Sequence, residues 1–181
     1  MLLLSETLLN KPILSLRTGS QIAVVNNYLI NPNNFKIEGF YCYDKSIKQS
    51  LILLYQDIRN IIDQGIIVND HDVLSSPDIL IRHKDLIEIN FVLIGKPVVT
   101  ISKEKIGRVK DFAVDSETFY VQKLYVSRAI LKSFSSGQLS VDRSQIIEVT
   151  DTKIIIADLQ STAKLAVPKT RASFSSSTQS N

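Results

Sequence analysis

One stretch of this chain occurs twice, and any fold assigned without the duplication would be wrong throughout. Residues 95–158 open with GKPVVTISKEKIGRVKDFAVDSETFYVQKLYV and close with SQIIEVTDTKIIIAD. Residues 10–70 carry a looser copy, opening NKPILSLRTGSQIAVVNNYLINPNNFKIEGFYCY and closing DIRNIIDQGIIVND. Tyr28, Ile30, Phe35, Ile37 and Tyr41 correspond to Phe112, Val114, Phe119, Val121 and Tyr125 at an offset of 84. Ile58, Ile66, Val68 and Asp70 correspond to Ile146, Ile154, Ile156 and Asp158 at an offset of 88. The four extra residues fall between Ser127 and Gln138, where a hairpin absorbs them with little disturbance to packing. The period is longer than that of stacked solenoids and there are only two copies, so the pattern predicts two small domains.

Within each copy the residues read as short, bent strands. Asn10 and Gly95 precede Lys-Pro in both copies, and these are the residue types that most easily close a turn in the left-handed conformation. Pro12 and Pro97 suit the first residue of a strand, where no ladder donor is needed. Ile22 to Ile30 and Ile106 to Val114 read as the second strand, ended by the turns Asn31-Pro32-Asn33-Asn34 and Asp115-Ser116-Glu117-Thr118. The third strand changes parity: Phe35 and Ile37 share one, Phe40 and Cys42 the other. One extra residue at Glu38-Gly39, or at Gln122-Lys123 in the second copy, brings all the apolar side chains to one face, which is the mark of a β-bulge. Ile66-Ile67-Val68 and Ile154-Ile155-Ile156 are unbroken β-branched runs and read as strands buried on both faces. Between the copies, Ser75-Ser76-Pro77-Asp78 is a helix start, and Ile79, Leu80, Leu86, Ile87 and Phe91 give a helical face that Gly95 ends.

Charge and composition narrow the function. The net charge of +3 resides in residues 159–181, which hold Lys164, Lys169 and Arg171 and no acid. The remaining 21 − 3 = 18 basic residues balance 18 acidic ones, which argues against a large phosphate-binding face on the folded part. The polar run Ser173 to Asn181 buries too little apolar surface to order itself, so the segment reads as a disordered, Ser/Thr-rich basic tail. Cys42 is the single cysteine, so no intrachain disulfide forms. Met1-Leu2-Leu3-Leu4 is cut short by Ser5 and Glu6, unlike a secretory signal, and no apolar run is long enough for a transmembrane helix. The expected setting is cytoplasmic.

Asn69-Asp70-His71-Asp72 offers carboxylates around a histidine, but metal sites need three or four converging ligands, and it reads as a solvated turn. Cys42 sits at an apolar position of a strand and reads as a buried thiol. The glycines form no phosphate-cradling motif. Asp111 and Asp115 read as strand polarity, with Asn27 and Asn31 in their places upstream. Tyr28, Phe35, Tyr41, Tyr43, Phe112, Phe119, Tyr120 and Tyr125 interleave with Lys36, Arg108, Lys110 and Lys123 as a base-stacking platform would. The recurrence of three of these aromatics at equivalent places assigns them to core instead, with Tyr43 and Tyr120 turned outward. No catalytic, cofactor-binding or metal-ligating residue is assigned, and no enzyme is expected.

GKPVVT, KIGRVKDFAVD, the aromatic third strand and the closing VTDTKIII resemble the PRC-barrel domain, closely in the second copy and loosely in the first, where Ala23 replaces Gly107. The resemblance implies a mostly β chain: two tandem PRC-type β-barrels joined by one α-helix, with a disordered C-terminal tail. The expected boundaries are a first barrel at 1–72, a linker helix at 73–94, a second barrel at 95–158 and the tail at 159–181. Family roles include binding a small-subunit ribosomal protein during ribosome maturation and forming the cytoplasmic part of a reaction-centre H subunit. The resemblance implies a protein-binding adaptor. Alternatives are a ribosome-assembly or RNA-associated factor and a peripheral component of a membrane or photosynthetic-type complex. No small-molecule substrate or cofactor is implied.

Overall fold

The computed structural model of the chain describes residues 1–128 and 138–158. The second hairpin beyond Arg128 and the tail from residue 159, both singled out in the sequence, lie outside the described residues. The strands are β1 (Leu2–Leu4), β2 (Pro12–Ser15), β3 (Gln21–Asn31), β4 (Lys36–Asp44), β5 (Gln49–Leu54), β6 (Ile58–Ile62), β7 (Gly65–Val68) and β8 (Leu74–Ser75). After the helix α1 (Lys84–Ile89) come β9 (Pro97–Thr100), β10 (Lys105–Asp115), β11 (Val121–Arg128), β12 (Gln138–Asp142), β13 (Ile146–Val149) and β14 (Ile154–Ile156).

They form two seven-stranded, strongly bent sheets. The first runs β6-β7-β2-β3-β4-β5-β8 and the second β12-β11-β10-β9-β14-β13, with β1 added to β10. In each barrel the closing strand pairs parallel with the opening one, β7 with β2 and β14 with β9. The bulge expected in the third strand is present in both copies: Leu29 pairs with Gly39 but Ile30 with Ile37, and Ala113 with Lys123 but Val114 with Val121. A second pair, not foreseen, leaves Asn26 and Lys110 as extra residues. Two bulges in each long pair, β3–β4 and β10–β11, supply the bend a small barrel needs. At the first of them no side chain fits: a Cβ on Gly39 would lie 2.6 Å from the Leu53 carbonyl oxygen. Asn10 (φ 59°) and Gly95 (φ 83°) take the expected left-handed conformation.

Several expectations are corrected. Leu2–Leu4, placed within the first barrel by sequence, cross over to pair with Ala113–Asp115 of the second. Ile67 and Ile155 are only half-buried, because the closing strands bury one face fully and the other in part. The connecting segment holds the one expected α-helix, but only over Lys84–Ile89 and not across 73–94. Pro77–Ile79 and Ile81–His83 are single 3-10 turns, Leu80 leaves helical conformation at ψ 63°, and α1 has six residues. Leu74–Ser75 extends the first sheet beside β5, while Leu80, Leu86 and Ile87 cover Leu29, Ile52 and Leu54 on its outer face. Fitting these side chains to a sheet breaks the helical period.

The barrels sit face to face about a pseudo-dyad, sharing one continuous core. Ile37 N–H donates to the Phe119 carbonyl at 2.8 Å, and its counterpart Val121 N–H donates to the Phe35 carbonyl at 2.8 Å. Tyr28 meets Phe112 edge to face at 5.1 Å, pairing equivalent positions across the axis. Phe35 and Phe119 both hold a positive φ (57° and 60°), which costs a β-carbon residue about 1–2 kcal/mol. The two cross-axis hydrogen bonds return about 0.5–1.5 kcal/mol each, so they roughly cancel that cost. Burial of the two phenyl rings, at about 1.5–3 kcal/mol each, decides in favour of the arrangement.

Candidate interaction surface

The residues singled out for chemistry are dispersed. Asp44, buried at the end of β4, accepts hydrogen bonds from Ser46 Oγ (2.6 Å) and Ser46 N–H (2.7 Å), and its other oxygen lies 2.7 Å from His71 Nε2. Burial pushes its carboxyl up, but these partners outweigh it and hold it at about 2. Asp70 does not join the His71 ring; it accepts Ser15 Oγ at 3.1 Å and Arg17 Nη1 at 2.9 Å. Asp158 fastens the second barrel in the same way, accepting Ser102 Oγ at 2.7 Å. Asn69-Asp70-His71-Asp72 is thus a pair of latches between strand ends. Among the described residues no three His, Cys, Asp or Glu side chains converge as a metal site would require.

Cys42 is buried, its Sγ 3.2 Å from the Phe40 carbonyl, and burial pushes the thiol up to about 12. Asp111 and Asp115 do the work that Asn27 and Asn31 do upstream. Asp111 accepts the Phe112 N–H at 2.7 Å as Asn27 accepts the Tyr28 N–H at 2.9 Å. Asp115 caps its turn by accepting Thr118 N–H (2.9 Å), Thr118 Oγ1 (2.8 Å) and Glu117 N–H (3.2 Å), as Asn31 accepts Asn33 N–H at 3.0 Å. The Thr118 bonds hold the Asp115 carboxyl at about 2. Asp111 also accepts the Ser5 hydroxyl, and the Ser5 carbonyl accepts the Tyr28 hydroxyl, so one serine ties the N-terminal segment to both barrels.

The aromatics separate by parity. Tyr28, Phe35, Phe112 and Phe119 are core. Tyr43 and Tyr120 are half-buried, as their alternation predicts. Tyr41 and Tyr125, grouped by sequence with the core set, are also half-buried, because Phe40 and Cys42 take the inward positions beyond the bulge. The cations do not form one platform: Arg108 donates to the Gly95 carbonyl at 2.9 Å and Lys123 pairs with Asp142 at 3.2 Å.

What sequence reasoning missed lies on the pseudo-dyad. Lys36 Nζ stands 3.6 Å from the Tyr55 ring centroid and 5.6 Å from that of Tyr120, and the Arg143 guanidinium lies 4.5 Å from the Tyr120 centroid. Lys36 and Tyr120 are equivalent positions, as are Tyr55 and Arg143. Each pair has one cation and one aromatic, so the axis carries an alternating ladder of Tyr55, Lys36, Tyr120 and Arg143. The signal was available: the offsets of 84 and 88 map each cation onto an aromatic. Such contacts are worth about 0.5–2 kcal/mol each depending on desolvation.

Two clefts flank this ladder, related by the same axis. One, of about 500 Å³, lies between Tyr55–Ile61 and the turn Ser116–Phe119. Its counterpart, of about 370 Å³, lies between Arg143–Val149 and the turn Pro32–Phe35. Each is bordered by an edge strand, β6 in the first and β13 in the second. On β13, Ile147 is 58% exposed. No helix among the described residues is long and apolar enough to cross a membrane.

No curated protein matches the chain. Residues 92–159 match the family model of the PRC-barrel domain, a span that covers β9 to β14. The second barrel is therefore a PRC-barrel domain, and the first repeats its strand order.

Proposed function

We propose that the chain is a non-enzymatic protein-interaction module that takes an extended segment of a protein partner along the β13 edge. The observation that carries this reading is an edge strand beside an open cleft with an apolar side chain exposed on it. Unpaired backbone donors and acceptors on such an edge supply affinity to an added strand, and neighbouring side chains supply selectivity. The displaced pKa values favour a non-catalytic reading, because each has a structural cause: turn capping at Asp115, latching at Asp44, core burial at Cys42 and Tyr28. The test is affinity capture with the full chain, with Ile147→Glu, and with a chain ending at Asp158. A specific protein should be retained by the wild type and the shortened chain and lost with Ile147→Glu. Retention only by chains that keep residues 159–181 would sink the reading.

The basic residues Lys164, Lys169 and Arg171 favour a second reading, association with ribosomal RNA or its assembly intermediates. That reading expects co-sedimentation with small ribosomal subunits that weakens steeply with salt.

A further inference from the structure

The two barrels differ beside their opening strands. On the second barrel a groove of about 450 Å³ is lined by Pro97, Val98, Val99, Gly107 and Ser127, with Lys105 and Arg108 at its rim. At the equivalent place on the first barrel, Gly107 is replaced by Ala23 and Ser127 by Tyr43. The ladders confirm the equivalence, since Arg108 pairs with Ser127 as Val24 pairs with Tyr43. The cavity there is lined by β3, Tyr43–Ser46 and His71, and β2 does not contribute to it. With one methyl and one phenol ring fewer beside it, β9 lines the groove through Pro97, Val98 and Val99, whereas β2 lines no part of the first barrel's cavity.

Charge differs at the same place. The rim of the second barrel's groove carries Lys105 and Arg108, both exposed, where the first barrel has Gln21 and Val24. Lys105 has no ion-pair partner among the described residues. Arg108 spends one N–H on the Gly95 carbonyl, and its guanidinium has no acidic partner among the described residues. An apolar floor with two cations at its edge selects a ligand that is apolar in the middle and anionic at its flank. The chain's own residues 159–181 fit poorly, since they carry Lys164, Lys169 and Arg171 and no acid.

We infer that the β9–β10 groove is a peptide-binding site of the second barrel alone, taking a partner segment with branched aliphatic side chains next to Asp or Glu. The site is separate from the β13 edge and goes beyond the docking reading above. The groove can be filled with residues this fold already accommodates, by Gly107→Ala with Ser127→Tyr, which copies the first barrel. The full chain is panned against a random heptapeptide phage library, and recovered peptides are titrated by NMR.

The expected result is enrichment of acid-flanked Leu, Ile or Val, with shifts centred on Val99, Gly107 and Ser127. The double variant should weaken binding at least about tenfold, as loss of an apolar anchor does. Lys105→Glu alone should weaken it about two- to fivefold. Unchanged circular dichroism and melting temperature would show that the double variant folds. Peptides that bind the double variant as well as the wild type, but not Ile147→Glu, would overturn the groove and leave the edge-docking reading standing. Failure to enrich any peptide would count against both. Two outcomes identify another occupant and overturn the proposal: binding of an oligouridylate that Lys105→Glu abolishes and the double variant does not, or resonance shifts in residues 159–181 on filling the groove.

Discussion

Replacing Phe112 with Ala should destabilise both barrels together. Phe112 belongs to β10 of the second barrel, is fully buried, and meets Tyr28 of the first at 5.1 Å with an interplanar angle of 71°. Removing a buried phenyl ring costs about 3–5 kcal/mol, of which the aromatic pair accounts for about 0.5–1.5 kcal/mol. For a folded unit of this size each kcal/mol lowers the melting temperature by about 2–4 °C, so a fall of about 6–20 °C is expected. The cavity opens on the axis between the barrels, in a core that runs through both. Amide exchange should therefore rise by a similar factor in Ile37–Cys42 of β4 and Val121–Val126 of β11. The assay is thermal melting by far-ultraviolet circular dichroism combined with hydrogen exchange read on peptides from each barrel. If Phe112→Ala leaves the chain partly unfolded, Phe112→Leu gives the same comparison at a smaller cost. Two separate melting transitions, or lost protection confined to β9–β14, would refute the shared core.

Four further outcomes follow from the geometry. Gly39→Ala should cost about 1–3 kcal/mol in urea melts, because its Cβ would meet the Leu53 carbonyl oxygen at 2.6 Å and that oxygen is backbone. Cys42, with its thiol pushed up to about 12, should resist Ellman's reagent at pH 8 until the protein unfolds, and rapid labelling of the folded chain would contradict its burial. Asp44 has a folded value of about 2 against an ordinary 3.8, so its stabilisation is complete above 3.8 and is lost as pH falls through about 2. The stability gap between wild type and Asp44→Asn should accordingly be widest above pH 5 and close on acidification, and a gap that ignores pH would remove the charge from the explanation. Lys36→Met keeps the apolar stem and removes the cation, and a double-mutant cycle with Tyr120→Leu should return a coupling of about 0.5–1 kcal/mol.

Local features of the fold were legible because local rules govern them. The left-handed residues at Asn10 and Gly95 followed from residue type. The bulges at Glu38 and Gln122 followed from a parity change in apolar positions. The bulges at Asn26 and Lys110 escaped notice because both fall on polar residues, where no apolar parity is broken. The pairing of Leu2–Leu4 with Ala113–Asp115 is set by tertiary contact and leaves no local periodicity. The segment between the barrels carries helix signals at Ser76 and Pro77, yet packing of Leu80, Leu86 and Ile87 on a sheet overrides them. The cation–aromatic ladder was readable only as a comparison between copies, since neither Lys36 nor Tyr120 is unusual alone. The groove had a trace in the sequence, the exchange of Ala23 for Gly107, but its depth depends on Ser127 and on which face of β9 lies outward.

The placement of β1 sets an order on biosynthesis. Leu3 pairs with Val114, so 114 − 3 = 111 residues separate the strand from its partner. At about 5–20 residues per second, Leu2–Leu4 emerge from the ribosome about 5–20 seconds before the strand that receives them. Through that interval Leu2–Leu4 lack the strand they pair with. The first barrel can assemble its own ladder meanwhile, but its Phe35 and Tyr28 wait for Phe119 and Phe112. A strand made ahead of the first barrel is thus settled only after it, and its leucines stay open to chaperones until translation reaches the second repeat.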